Sequence, residues 1–135
     1  MVCIYCDGTT SVTNSRKQKR SNAIWRRRSC KSCEAIFTTL ETIDYSTAII
    51  VSSSGQHEAF SRDKLFVSVY ESCKHQKDAQ TSATMLTDTI IKQLYPYVKD
   101  ASLSVKSIRR VTLKALHRFD EAAGVHYKAY HPDSD

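Results

Sequence analysis

The chain has 135 residues and a formal charge of +6, a length for one domain or two small ones and a balance that suits a polyanionic partner. No apolar run approaches the roughly 20 residues of a membrane helix. The start, MVCIYCDG, lacks a basic segment followed by an apolar one, so no secretory signal is read and a cytoplasmic setting with reduced cysteines is expected.

In chain order, the first elements are β-type. TTSVTN, AIWRRR and IFTTLETI are rich in Thr, Ile and Phe and predict short strands within residues 1–46. A region of about 45 residues cannot build much of a core and needs staples. Residues 47–135 read differently. A short apolar strand is expected over Ala48–Val51 and a turn at Ser52–Gly55. A helix follows in which Leu65, Phe66, Val69, Tyr70 and Cys73 recur at helical spacing, with Ser61 and Asp63 at its start. A second helix is predicted over Thr81–Tyr95, ended by Pro96. A third is predicted from Val105 to Ala123, capped by Ser104, with Ile108, Val111, Ala115, Leu116, Phe119 and Ala122 on one face. The fold class expected is α+β: a small β unit, 1–46, then a mainly helical domain, 47–135.

Four of the five cysteines form two CxxC pairs, Cys3/Cys6 and Cys30/Cys33, separated by 23 residues. Two such pairs around a β-rich loop suit a tetrahedral structural zinc site in which each pair forms a knuckle. A single redox CxxC in a βαβ setting does not match this pattern. A catalytic zinc keeps an open position, which four thiolates do not leave. A four-thiolate iron–sulfur site has the same ligand count, and spacing does not separate the two. Cys73 lies on an apolar helix face and reads as a small core residue.

Charge is concentrated near the front. Residues 1–46 hold eight Lys/Arg, all between Arg16 and Lys31, a stretch without an acid. The run lies inside the loop that the metal would close, so its side chains stand on a rigid platform. Arginine offers planar forks to phosphates and guanine edges. Strand alternation sends Ile24, Arg26 and Arg28 to one face and Trp25 and Arg27 to the other. Trp25 is expected to cap the small core, with base stacking the second role.

The stretches CIYCDG, NSR, NAIWRRRSCKSCEAIFTTLETID and G-x-x-x-x-FSRDKL closely resemble the NrdR-type bacterial repressors, whose pattern is like C-P-x-C, D-S-R, N-x-I-R-R-R-R-x-C-x-x-C-x-x-R-F-T-T-x-E. The resemblance runs in order from Met1 to about Tyr130. It implies an N-terminal zinc ribbon that binds DNA and a C-terminal ATP-cone, in repressors of ribonucleotide reductase genes. The adenine nucleotide in the cone, ATP or dATP, sets the oligomeric state and thereby engagement of paired operator boxes on double-stranded DNA. Carried over, it makes Cys3, Cys6, Cys30 and Cys33 the ligands of a structural zinc ion and Arg16, Arg26, Arg27 and Arg28 the DNA contacts. Lys17 and Lys31, with Lys19 and Arg20, join them by charge alone. The candidate nucleotide site is Val51, Gly55, His57, Glu58, Phe60, Lys64 and Lys74, of which Phe60 and Lys64 match the family's F-x-x-x-K. Homo-oligomers are implied.

The chain also departs from the family pattern. Trp25 stands where another arginine is usual. The cone strand V-x-K-R-D-G is here Val51-Ser52-Ser53-Ser54-Gly55, without its two cations, and K-R-P-V is Lys74-His75-Gln76-Lys77. Losing charge-assisted partners worth about 1.5–3 kcal/mol each weakens triphosphate binding unless Lys64, Lys74, Lys77 or His57 replaces them. A zinc-ribbon module bound to RNA or the ribosome, whose helical domain only oligomerises, is the alternative; it would favour a basic tail or further aromatic platforms, and neither is present. An enzyme is not expected: there is no P-loop, and His57, His75, His117, His126 and His131 are scattered without ligand or catalytic spacing.

Overall fold

Three antiparallel strands make up most of the first of two units into which the computed structural model, describing residues 1–132, divides the chain: Met1–Ile43, and a second from Asp44 onward. The strands are β1 (Thr10–Gln18), β2 (Ala23–Cys30) and β3 (Ile36–Glu41), in the order β1-β2-β3. The arginine run therefore lies on the central strand. Arg16 pairs with Trp25 and Trp25 with Leu40; Arg26 faces Ser15 on one side and Thr39 on the other. A bulge between Val12 and Asn14 shifts the register once. The turn from β1 to β2 ends in the left-handed residue Asn22, φ 49°, a residue type that tolerates that region. Among the described residues, the buried apolar side chains of this unit are only Cys3, Ala23 and Cys30. Such a sheet has too little apolar burial to hold itself.

The second unit begins with a one-turn helix α1 (Tyr45–Ala48), then a hairpin of β4 (Ile50–Ser53) and β5 (Gln56–Ala59). Helices α2 (Arg62–Cys73) and α3 (Ala79–Leu94) follow, then a 3₁₀ turn at Tyr95–Tyr97, strand β6 (Ser102–Ser104), and helices α4 (Val105–Phe119) and α5 (Glu121–Tyr130). The sheet order is β5-β4-β6, with β6 parallel to β4, so α2 and α3 form the crossover that parallel pairing requires. Val69, Ile90, Leu94, Leu103 and Leu116, each 0–2% exposed, meet at the centre of the core. Cys73 is buried there as expected, and burial pushes its thiol pKa up. The mixed α+β class expected from the sequence is met.

Several boundaries differ from the sequence reading. The expected turn over Ser52–Gly55 shrinks to Ser54 and Gly55, with φ 45° and 82°; two consecutive positive φ values are those of a type I′ hairpin. Ser52 and Ser53 are strand residues, opposite His57 and Gln56. The helix expected over Val105–Ala123 is two helices. At Asp120 the backbone is extended (φ −160°), and its carboxylate accepts from the Ala123 amide at 2.8 Å. The amide of Asp120 also donates to Leu116 O at 2.8 Å. One residue thus ends α4 and caps α5, because a short carboxylate satisfies the orphan amides of a new helix better than it propagates an old one. Phe119, assigned to the buried face, is 42% exposed as a result. Ser61 and Ser104 do cap α2 and α4, accepting from Lys64 and Ser107 amides at 3.1 Å each.

Candidate metal centre and nucleic-acid interface

Two knuckles of the same design bring the four thiols together. In the first, the Cys3 amide donates to Gly8 O at 2.9 Å; in the second, the Cys30 amide donates to Ala35 O at 2.9 Å. Each turns through a left-handed residue directly after its second cysteine, Asp7 (φ 57°) and Glu34 (φ 60°). Amides of Tyr5 and Ser32 point at Cys3 and Cys30 Sγ, at 3.4 and 3.3 Å. The knuckles meet closely at Gly8, where an added Cβ would stand 2.6 Å from Ser32 Oγ and 3.2 Å from Cys30 Sγ.

All four sulfurs lie within 4.8 Å of one another, with Cys3–Cys33 at 3.7 Å and Cys6–Cys30 at 3.5 Å. Sulfurs each 2.3 Å from a tetrahedral zinc are about 3.8 Å apart, so the thiols fit the ion without rearrangement. Amides of Cys33 and Ser32 pull the Cys30 thiol down to about 6, which favours the thiolate that a metal needs. For Cys6 the Gly8 amide acts downward, but the neighbouring Cys33 and Cys30 thiols outweigh it and push the value up to about 12. Cys3, Cys6, Cys30 and Cys33 are placed to hold a structural zinc ion, which would close the loop that carries the sheet.

The sheet separates the arginines by face and by partner. Cross-strand neighbours share a face, and Arg26 and Arg28 lie on the face of Glu41 and Thr39. Arg26 donates to Glu41 Oε2 from Nη2 at 2.8 Å and Nε at 3.2 Å, and to Ser15 Oγ at 3.2 Å. Arg28 donates to Thr39 Oγ1 at 3.2 Å and Thr10 Oγ1 at 3.4 Å. Arg27 is exposed on the opposite face, with Trp25 and Arg16. Among the described residues the guanidinium groups of Arg16 and Arg27 have no hydrogen bond or ion pair. Trp25 is partly buried between Arg16 and Leu40, so it lies in the sheet surface rather than in a core. Lys17, Arg20 and Lys31 are exposed along β1, in the turn and at the second knuckle. The anchors Glu41, Ser15, Thr39 and Thr10 were not read from the sequence, since only register shows which hydroxyl or carboxylate meets which arginine.

In the second unit a cavity of about 190 Å³ is lined by Val51, Glu58, Phe60, Ser61 and Lys64 from the front elements, with Arg109 of α4, Tyr127 of α5 and His131 just beyond it. It gathers four of the seven candidate nucleotide residues. Gly55 and His57 are exposed on the hairpin and do not line it, nor does Lys74, which pairs with Glu71 at 2.6 Å. Lys64 is itself paired, with Glu58 at 2.6 Å. Arg109, which donates to Pro132 O at 3.1 Å, is a cation the sequence reading missed; no spacing signal links it to residues fifty positions earlier. The pKa of His131 is lowered by burial and then by the charge of Arg109. Ligand pockets commonly span about 300–1,000 Å³, so this cavity is small for a nucleoside triphosphate.

Residues 1–41 match the family described as "Transcriptional repressor NrdR-like, N-terminal domain". Across nearly the whole chain, 128 residues are 32% identical to the transcriptional repressor NrdR of Rhodospirillum rubrum, covering 94% of this chain and 84% of that one. The NrdR of Symbiobacterium thermophilum is 32% identical over 127 residues, with the same coverage. That of Streptococcus gordonii is 31% identical over 128 residues, 94% and 81% of the two chains. A four-thiol ribbon carrying an arginine strand, followed by a mainly helical unit and matched along both, places this chain in the family of NrdR transcriptional repressors.

Proposed function

We propose that the chain represses transcription by binding duplex DNA through the ribbon, at paired operator boxes and as a homo-oligomer, with ribonucleotide reductase genes as targets. The observation that carries the DNA-binding half is the face bearing Arg16, Trp25 and Arg27, two guanidinium groups without a partner among the described residues, beside an indole on a sheet that four clustered thiols would fix. Guanidinium forks grip phosphates and guanine edges, and a rigid platform lowers the entropy lost when they do. The test is binding of the zinc-loaded protein to duplexes carrying paired boxes. Replacing Arg26, Arg27 and Arg28 together with alanine should abolish specific binding while zinc content and helicity persist; specific binding by that variant would refute the ribbon as reader.

Regulation by ATP or dATP is the second half of the proposal, seated at the Val51–Phe60–Lys64–Arg109 cavity. The Glu58–Lys64 pair and the absent strand cations favour weak triphosphate affinity. Bound nucleotide in the purified protein, and its oligomeric state with ATP and with dATP, decide this half. Equal assembly with and without nucleotide would leave the helical unit as an oligomerisation module alone.

A further inference from the structure

The second unit carries a basic surface that neither the ribbon nor the cavity uses. From Ala101 to Phe119 the chain has no acidic residue, and α4 alone holds Lys106, Arg109, Arg110, Lys114 and Arg118. Four of these, Lys106, Arg110, Lys114 and Arg118, recur every fourth residue and are all exposed, forming one stripe along the helix. At 1.5 Å rise per residue the charges stand about 6 Å apart along the axis. The stripe borders a groove of about 770 Å³ that Leu113 and His117 also line. Among the described residues none of the four makes an ion pair; Arg110 stacks over the exposed Tyr97 ring at 5.0 Å.

This arrangement works against the helix. Like charges four residues apart destabilise by about 0.2–0.5 kcal/mol per pair, and the stripe has three such pairs in series. Lys106 and Arg110 also stand in the N-terminal half, where the helix dipole favours anions; only Arg118 lies in the last turn, where it helps. A solvated helix gains nothing from this placement, whereas a linear polyanion gains from every member of it.

We propose that the outer face of α4 is a second, sequence-independent contact with the phosphate backbone of duplex DNA, supplementing the ribbon. The proposal rests on the reading of the chain as a DNA-binding repressor. The stripe alternates lysine and arginine at regular spacing along one exposed helix face, and evenly spaced cations suit the repeating phosphates, which position a protein on the duplex without reading its sequence.

The test uses the full, zinc-loaded protein and a fluorescent duplex, with affinity measured between about 50 and 200 mM salt, where log K falls with log salt by about 0.9 per neutralised phosphate. The quadruple variant K106Q/R110Q/K114Q/R118Q should show a slope shallower by about 3 to 4, with zinc content and oligomeric state unchanged. The double variant K106Q/K114Q should lose about half of that, and serves if the quadruple does not fold. R110K/R118K should keep the wild-type slope, because phosphates accept either cation. An unchanged slope in a folded glutamine variant overturns the proposal while wild-type binding leaves the ribbon reading standing. An unchanged DNA slope with lost retention of single-stranded RNA would overturn it in favour of an RNA surface. A wild-type protein that binds no duplex at all would fell both readings together.

Discussion

Arg26 and Glu41 are joined across the ribbon sheet by two hydrogen bonds from one guanidinium to one carboxylate oxygen, at 2.8 and 3.2 Å. The pair divides three consecutive arginines into anchored and available ones. Arg27→Ala should therefore weaken DNA binding more than Arg26→Ala. Loss of one charge-assisted contact costs about 1.5–3 kcal/mol, a fall of roughly ten-fold or more for Arg27. Arg26→Ala should show a smaller loss of affinity, and a half-exposed pair of this kind contributes only about 0–1 kcal/mol to stability. Parallel titrations of the two variants against one duplex check the order.

Removing zinc should unfold the ribbon and spare the second unit. The ribbon buries only Cys3, Ala23 and Cys30 among its described apolar residues, while the second unit has its own core around Val69, Ile90 and Leu116. With a chelator, or with Cys6→Ser, amide hydrogen exchange should become fast in β1–β3 and stay slow in α3 and α4, and DNA binding should disappear. Equal loss of protection in both units would contradict this.

Asp120→Ala should lower the melting temperature of the second unit by roughly 4–8 °C, the loss of one N-cap in a domain of this size. Asp120→Asn should retain most of the stability. Asp120 also ties stability to pH. Its pKa is lowered by the Ala123 amide and then by His75, whose Nε2 lies 3.1 Å away. A carboxylate with a depressed folded-state pKa stabilises above its unfolded value and loses that contribution as pH falls through the folded one. Wild-type protein should thus lose stability below about pH 3.8, the ordinary value, with a shallower acid limb in the Ala variant.

Glu58→Gln should strengthen binding of a nucleoside triphosphate several-fold. The substitution removes a negative charge from the cavity wall and releases Lys64 from its 2.6 Å pair. Calorimetry with ATP and dATP, on wild type and variant, reads the change. No gain in affinity would place the phosphates elsewhere.

Local patterns were legible where chemistry and spacing are short-range. The two CxxC pairs announced the metal site, since two thiolates on one tight knuckle need only neighbouring residues. The caps at Ser61 and Ser104 were likewise visible, as each acts within one turn. Asp120 is not legible as a break because an apolar period continues across it into Ala123, and only the backbone reveals that its carboxylate caps a new helix. Strand β6, three residues with Leu103 as its one apolar member, has no periodic signal and exists because β4 offers it an edge.

The sequence by itself determined the two CxxC pairs as the candidate metal site, the placing of eight early cations within one acid-free stretch, and the change from a β-rich to a helical unit. These depend on residue type and near spacing. Only the tertiary structure decided which arginines are available, because register sets Arg26 against Glu41 and leaves Arg27 with Trp25 on the other face. It also decided that Arg109 and His131 join Val51 and Lys64 around one cavity, and that four α4 cations stand in a stripe with no ion pair among the described residues. Such facts depend on contacts between residues far apart in the chain, and on partners that fail to appear, which the order of residues does not display.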